Sequence, residues 1–229
     1  MHTSSLLRLL HLCDAALPIG GFSHSAGLET YVQAGIINDK VKAEEFIKQQ
    51  LTQNIFYTDA ALMSLVYDAA VNNNFNEILL LDELCTAVKL PAESRTASNK
   101  LGIRLLKIFQ DNKSFSFLDQ YRAGIAADEI TGHYCISFGL LAAALDISKQ
   151  EALTGFFYNL TCSFITNAVK LIPLGQKDGQ QILMSLFPLI DELVIKSLAP
   201  DKDLIGFACA GFDIRCMQHE QLYSRLYMS

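Results

Sequence analysis

A histidine between two serines follows a pair of glycines near the start of the chain. Residues 21–25 read Gly-Phe-Ser-His-Ser, which differs from the Gly-x-Ser-x-Gly nucleophile elbow of serine hydrolases at the last glycine. The elbow also needs a preceding strand, whereas residues 6–16 have helical periodicity. We therefore expect Ser23 to cap the free amides of a helix rather than to attack a substrate. A hydrolase that uses Ser23 or Ser25 stays open as the less favoured alternative.

A second glycine pair lies in the segment Pro173-Leu-Gly-Gln-Lys-Asp-Gly-Gln180. It lacks the Gly-Lys-Ser/Thr ending that places a lysine and a magnesium-binding hydroxyl on a phosphate, so it is not a nucleotide-binding P-loop. The pattern instead indicates a tight turn after Pro173, with the next helix beginning at Asp178 or Gly179.

Histidine and cysteine lie two or three positions apart at three places in the chain, which could suggest a metal site. His11 and Cys13 are two positions apart and fail for the same reason as the next pair. His133 and Cys135 are two positions apart, and on a regular helix they point about 200° apart, so they cannot chelate one ion together. Cys216 and His219 are three apart and can share a face, but two ligands leave a site incomplete unless another chain contributes. We predict no metal site in this chain, with a direct metal carrier that uses Cys216 and His219 as an alternative.

Composition restricts the function classes further. The chain has 229 residues, of which 18% are charged and 51% hydrophobic, and its net charge is −6. The negative net charge, without a Lys/Arg cluster, argues against nucleic-acid binding. The small share of charged residues favours a protein with an apolar surface patch that another protein covers. Residues 134–145 are too short to cross a bilayer, and we find no leader pattern, so we expect a cytoplasmic protein with free cysteines.

The hydrophobic periodicity is helical almost throughout and predicts an all-α fold, a single compact domain of about eight to ten helices over residues 1–229. Ser148, with Glu151 three residues later, forms a capping box that starts one helix. Pro91 suits a first helical turn, whereas Pro188 should kink or split its helix. The other expected helices cover residues 6–16, 23–34, 40–56, 76–89, 91–110, 131–145 and 180–198.

Both ends of the chain receive separate predictions. Residues 1–5 could be mobile, and residues 210–229 combine apolar, aromatic and arginine side chains that are common binding anchors. We expect this tail to order when it binds a partner; the alternative is a final helix packed on its own domain. Arg95 lies on a small-residue helix and could face a partner, although its spacing equally fits a solvated face.

Three motifs occur in an order that resembles the urease accessory protein F family. They are residues 16–29 (Ala-Leu-Pro-Ile-Gly-Gly-Phe-Ser-His-Ser-Ala-Gly-Leu-Glu), residues 173–180, and residues 219–226 (His-Glu-Gln-Leu-Tyr-Ser-Arg-Leu). Residues 93–105, Gly132-His133 and Phe138-Gly139 extend the resemblance over nearly the whole chain. His24 departs from the pattern, since many relatives have tyrosine at this position.

The resemblance implies a non-enzymatic scaffold that dimerises, joins accessory protein D (called H in some systems) and recruits the GTPase accessory protein G. The assembly then inserts nickel into apo-urease, with no cofactor held stably by this chain. The first and second motifs would lie near subunit contacts, and the tail would form the GTPase-recruiting surface. The partner-binding residues predicted in this way are Gly20, Phe22, Ser23, His24, Glu29, Arg95, Pro173, Gly175, Gln176, Asp178, Gln180, His219, Glu220, Tyr223, Ser224 and Arg225.

Overall fold

A computed structural model of the chain describes residues 3–21, 24–110, 115–207 and 210–228. Helices account for the regular structure in these ranges, and no strand occurs there, which confirms the all-α prediction. The helices are α1 (Thr3–Leu12), α2 (Leu28–Gln33), α3 (Lys40–Gln49), α4 (Ala61–Val71), α5 (Phe75–Val88), α6 (Ala92–Ile108), α7 (Ser116–Ala126), α8 (Tyr134–Ala144), α9 (Lys149–Leu171), α10 (Gln176–Ser197) and α11 (Ala210–His219). A π-helical segment, Gln50–Ala60, joins α3 to α4, and a 3-10 turn covers Lys202–Leu204.

Helix α8 is the centre of the core. Almost all of its side chains are buried, and it packs against α4, α6 and α9. Two glycines permit the close approach: a Cβ at Gly139 would lie 2.8 Å from the carbonyl oxygen of Met63, and one at Gly102 would lie 2.7 Å from the carbonyl carbon of His133. The long α9 and α10 pack against each other beside this centre. None of the helices in the described ranges has both the length and the apolarity to span a bilayer.

The segment from Lys40 to Val71 is one continuous helical rod. The prediction that a helix ends near residue 56 is wrong, because α3 continues through the π-helical turns into α4. Counted with this rod as one, the helices that the structure describes number ten. The wider turns of a π-helix shift the register of the apolar side chains, so a 3.6-residue period does not continue through this region.

Several helix ends agree with the capping prediction, and others do not. The Ser148 hydroxyl accepts from the amide of Glu151, whose carboxylate accepts from the Ser148 amide in return, as the capping box predicts. Helix α10 begins earlier than expected, at Gln176, and it runs through Pro188 without being split. Helix α8 begins only at Tyr134, with His133 as its N-cap, and α7 was not predicted at all.

Candidate partner-binding site

The first motif forms a turn and a short helix, and the helix begins later than predicted. Phe22 and Ser23 lie outside the described residues. Gly27 has a left-handed backbone (φ 78°), and α2 starts only after it, so the prediction of a helix from residue 23 is wrong. A Cβ at position 27 would also lie 2.9 Å from the sulfur of Cys216 on α11. Glycine is therefore required here both by its backbone angle and by the close contact with the tail.

Glu29, in the first turn of α2, is buried and holds the end of the chain. Its Oε1 accepts from the amide of Leu226 at 2.7 Å, and its Oε2 accepts from the amide of Tyr227 at 3.1 Å. The same Oε2 lies 3.1 Å from Nε2 of His219. Burial raises the pKa of Glu29, but the two backbone amides and His219 outweigh burial and hold its pKa below the ordinary value. The carboxylate is therefore ionised at neutral pH and joins two segments 190 residues apart.

His219 is fully buried between two carboxylates. Its Nε2 faces Glu29, and its Nδ1 lies 2.8 Å from Oε2 of Glu93 in the first turn of α6. An ionised carboxylate only accepts hydrogen bonds, so both contacts are satisfied when both ring nitrogens carry a proton. The Arg225 guanidinium donates to the other oxygen of Glu93 at 2.8 Å. Glu29, Glu93, His219 and Arg225 are here called the tail cluster.

Further contacts join α11 and the residues after it to α2. The Thr30 hydroxyl donates to the carbonyl of Arg215 at 3.0 Å, and the Arg215 guanidinium stacks 5.3 Å from the ring centre of Tyr31. The Gln33 amide donates to the carbonyl of Ser224 at 2.9 Å. Residues 210–228 are therefore packed on their own domain, which is the alternative that the sequence left open for the tail.

The outer side of the tail stays exposed. Tyr223 is fully exposed, and Leu226 and Met228 are 69% and 60% exposed. We call Tyr223, Arg225, Leu226 and Met228 the tail surface. Beside it lies a groove of about 460 Å³ between the tail and α6, whose lining includes His24, Ala92, Glu93, Thr96, Lys100, Glu220, Arg225 and Met228. The structure thus brings together His24, Glu220 and Arg225, which were predicted as partner-binding residues from two separate motifs.

The loop before α10 forms a second exposed feature. Pro173, Gly175, Gln176 and Gln180 are exposed, whereas Asp178 is half-buried. The Asp178 carboxylate accepts from the amide of Gly175 at 3.1 Å and forms an ion pair with Lys40 at 3.3 Å. The Gly175 amide and the charge of Lys40 hold the pKa of Asp178 below its ordinary value. Asp178 therefore fixes the loop on α3, while the four exposed residues remain accessible to a partner.

The remaining predicted site residues have contacts inside the chain. The Arg95 guanidinium donates to the carbonyl oxygens of Lys89 at 2.7 Å and Leu90 at 2.6 Å, so it stabilises the turn before α6. Gly20 has a left-handed backbone (φ 87°). The carbonyl of His24 accepts from the Asn167 amide at 2.7 Å. Burial, followed by the charges of Lys100 and Arg104, holds the pKa of the His24 imidazole below its ordinary value.

A second cavity, of about 410 Å³, also has His24 in its lining. Its lining includes the ion pair between Lys89 and Asp59, whose Nζ and Oδ2 are 2.8 Å apart, together with Asn54, Ser94, Tyr134, Asn159 and Phe207. Burial lowers the pKa of Lys89, but Asp59 outweighs burial and raises it well above the ordinary value. The cavity wall therefore carries a fixed pair of opposite charges.

The geometry of the described residues does not support a nucleophilic Ser25 or the metal-binding alternative. Ser25 is fully buried, and its Oγ accepts from the amide of Glu29 at 3.5 Å. Burial raises the pKa of the Cys216 thiol to about 12, and both nitrogens of His219 already face carboxylates. Within the described ranges, no group of three or more His, Cys, Asp or Glu side chains could hold a metal ion. The imidazole of His133, in turn, bonds to Thr86 and Ser98 rather than pairing with Cys135.

Glu93 is the member of the tail cluster that the sequence did not identify. It lies in a segment that belongs to the resemblance, and its position in the first turn of α6 is favourable for a carboxylate. Nothing in the local pattern indicates that it binds residues 219 and 225, because those contacts cross 126 and 132 positions of the chain.

Comparison with known proteins identifies the family. The UreF family model matches residues 37–187. The chain belongs to the UreF family. It is 47% identical over 221 residues to the urease accessory protein UreF of Actinobacillus pleuropneumoniae serotype 5b, which covers 96% of this chain and 97% of that protein. The proteins of the same name from Haemophilus influenzae (strain Rd) and Bacillus sp. (strain TB-90) are 47% and 34% identical, over 96% and 98% of this UreF-family chain.

Proposed function

We propose that this chain is a scaffold for urease maturation that bridges accessory protein D (or H) and the GTPase accessory protein G during nickel insertion into apo-urease. The alignment with relatives named urease accessory protein UreF covers nearly their full length, and the family is non-catalytic. The proposal includes a cytoplasmic location and a homodimer. The single observation that carries it is the tail surface, which is exposed yet fixed by buried charges.

A fixed surface binds with a smaller loss of conformational entropy than a flexible one. Tyr223 and Arg225 are of the types that dominate binding energy at protein interfaces, and Leu226 and Met228 add apolar area around them. The groove beside them adds His24 and Glu220. We assign this combined surface to the GTPase, and the exposed loop at Pro173–Gln180 to a contact within the larger assembly.

The test is size-exclusion chromatography with light scattering on the chain mixed with accessory protein D and the GTPase, loaded with GTP or GDP. Leu226→Ala and Leu80→Ala are a matched pair, since the two leucines are 69% and 60% exposed. Neither substitution removes a buried side chain, so both variants should fold. Tyr223→Ala is the stronger perturbation of the tail surface.

We expect the native chain and Leu80→Ala to co-elute with both partners. Tyr223→Ala and Leu226→Ala should retain accessory protein D and lose the GTPase. Equal retention of the GTPase by all variants would contradict the assignment of the tail surface. Separate elution of all three native proteins under both nucleotides would contradict the scaffold itself.

A further inference from the structure

Two cysteines lie in contact in the core. Cys85 on α5 and Cys135 on α8 are each fully buried, and their sulfur atoms are 3.6 Å apart. A disulfide bond is about 2.0 Å long, so bonding would need an approach of about 1.6 Å between two helices that are already packed together. The sequence spacing of the six cysteines gave no indication of this pair.

The surroundings of the two sulfur atoms make them unequal. Burial raises the pKa of the Cys85 thiol, but the hydrogen bond with Cys135, the imidazole of His133 and the charge of Lys89 outweigh burial and lower it overall. Burial and the neighbouring Cys85 raise the pKa of Cys135 well above the ordinary value. One sulfur is therefore the more nucleophilic thiolate, and the other stays a thiol beside it.

We propose that Cys85 and Cys135 are an oxidative modification site, at which hydrogen peroxide converts the dithiol into a disulfide that links α5 to α8. The Cys85 thiolate attacks one peroxide oxygen, the O–O bond breaks, and a sulfenic acid and a hydroxide form. The thiol of Cys135 then attacks the sulfur of the sulfenic acid, the S–O bond breaks, and a second hydroxide leaves. The protons of the two thiols neutralise both hydroxides, so peroxide is reduced to water as the two thiols are oxidised.

Burial selects the oxidant. Both thiols have no exposed surface, so a small neutral molecule such as hydrogen peroxide can reach them through a local opening, whereas a bulky disulfide such as oxidised glutathione cannot. The other cysteines in the described ranges are less favourable. Burial raises the pKa of Cys13, Cys162 and Cys216, which lowers the fraction of reactive thiolate at each.

The experiment treats the reduced full chain with hydrogen peroxide, blocks free thiols, digests without reductant and identifies linked peptides by mass spectrometry. We expect the Cys85–Cys135 peptide pair, lighter by two hydrogen atoms, to form before Cys13, Cys162 or Cys216 is lost. A reductant should restore both thiols. Oxidised glutathione at the same concentration should give no linked pair.

Three variants separate the steps. Cys135→Ala should leave Cys85 as a sulfenic acid that dimedone captures, Cys85→Ala should leave Cys135 unreacted, and the control Cys216→Ala should still form the disulfide. If a core variant fails to fold, the native chain and the control still decide. The proposal is overturned if Cys85 and Cys135 stay reduced while Cys13 or Cys162 oxidises, or if the link forms only in denaturant or equally with oxidised glutathione.

Discussion

Removing the Glu29 carboxylate should release the tail without unfolding the domain. In Glu29→Ala, the amides of Leu226 and Tyr227 lose their acceptor, and the buried His219 keeps only one carboxylate. Breaking a buried ion pair by removing one partner costs about 3–5 kcal/mol. Since about 1.4 kcal/mol corresponds to a factor of ten, the ratio of closed to open tail should fall by roughly two to four orders of magnitude.

Hydrogen exchange measures this release directly, because the amides of Leu226 and Tyr227 are the groups that Glu29 accepts from. Their protection factors should fall by that ratio, or to the level of an unstructured peptide, while amides in α8 keep theirs. Glu29→Gln should have an intermediate effect, because the amide retains one acceptor oxygen and a neutral His219 can accept from its NH₂ group.

Glu45→Ala is the matched control, since Glu45 is exposed and its carboxylate accepts only from Gln49, at 3.2 Å, among the hydrogen bonds in the described ranges. It should leave tail protection unchanged. Unchanged protection at Leu226 and Tyr227 in Glu29→Ala would refute the view that the buried carboxylate holds the tail closed. So would an equal loss of protection in Glu45→Ala.

Three further predictions concern pH, packing and the buried ion pair. The folded-state pKa of Glu29 lies below its ordinary value of 4.5. The stabilisation that Glu29 provides is therefore complete above pH 4.5 and is lost as the pH falls through the folded-state pKa. Tail protection factors should drop in acid, and Glu29→Gln should remove that dependence. Gly102→Ala should lower the free energy of unfolding by several kcal/mol in urea titration, because its Cβ would overlap the backbone of Gly132 and His133 just before α8. Gly211→Ala, with open space around it on α11, should not destabilise the chain. Equal effects of the two substitutions would contradict the packing. Lys89→Met should lower the free energy of unfolding by about 3–5 kcal/mol, because it leaves Asp59 buried without its partner. Adding Asp59→Asn should restore part of this loss. A double variant that is no more stable than Lys89→Met would argue against the ion pair.

The sequence predicted those helices whose signals are local. The capping box at Ser148 and Glu151 set the start of α9, and the mainly apolar residues 134–145 lie in the helix predicted over 131–145, which contains α8. Helix α7 was missed because its apolar residues are interrupted by Asp119 and Gly124, which weakens the period. The start of α2 was misplaced because its position depends on Gly27, whose close contact is with a cysteine 189 positions away.

The tail cluster shows the same limit at the candidate site. Glu29, His219 and Arg225 were named through the family resemblance, but nothing in the sequence indicated that they share Glu93 as a partner. Such contacts arise from packing between elements far apart in the chain, and periodicity contains no information about them. The same reasoning applies to Cys85 and Cys135, which meet only because α5 and α8 pack together.

The central claim is that the tail surface binds the GTPase, and site-specific photocrosslinking tests it most directly. A benzophenone amino acid at position 223 would be compared with the same group at position 80, which is also exposed but lies on α5. In the mixture with accessory protein D and the nucleotide-loaded GTPase, we predict a crosslink to the GTPase from position 223 and none from position 80. A crosslink from position 80 with none from position 223 would contradict the account.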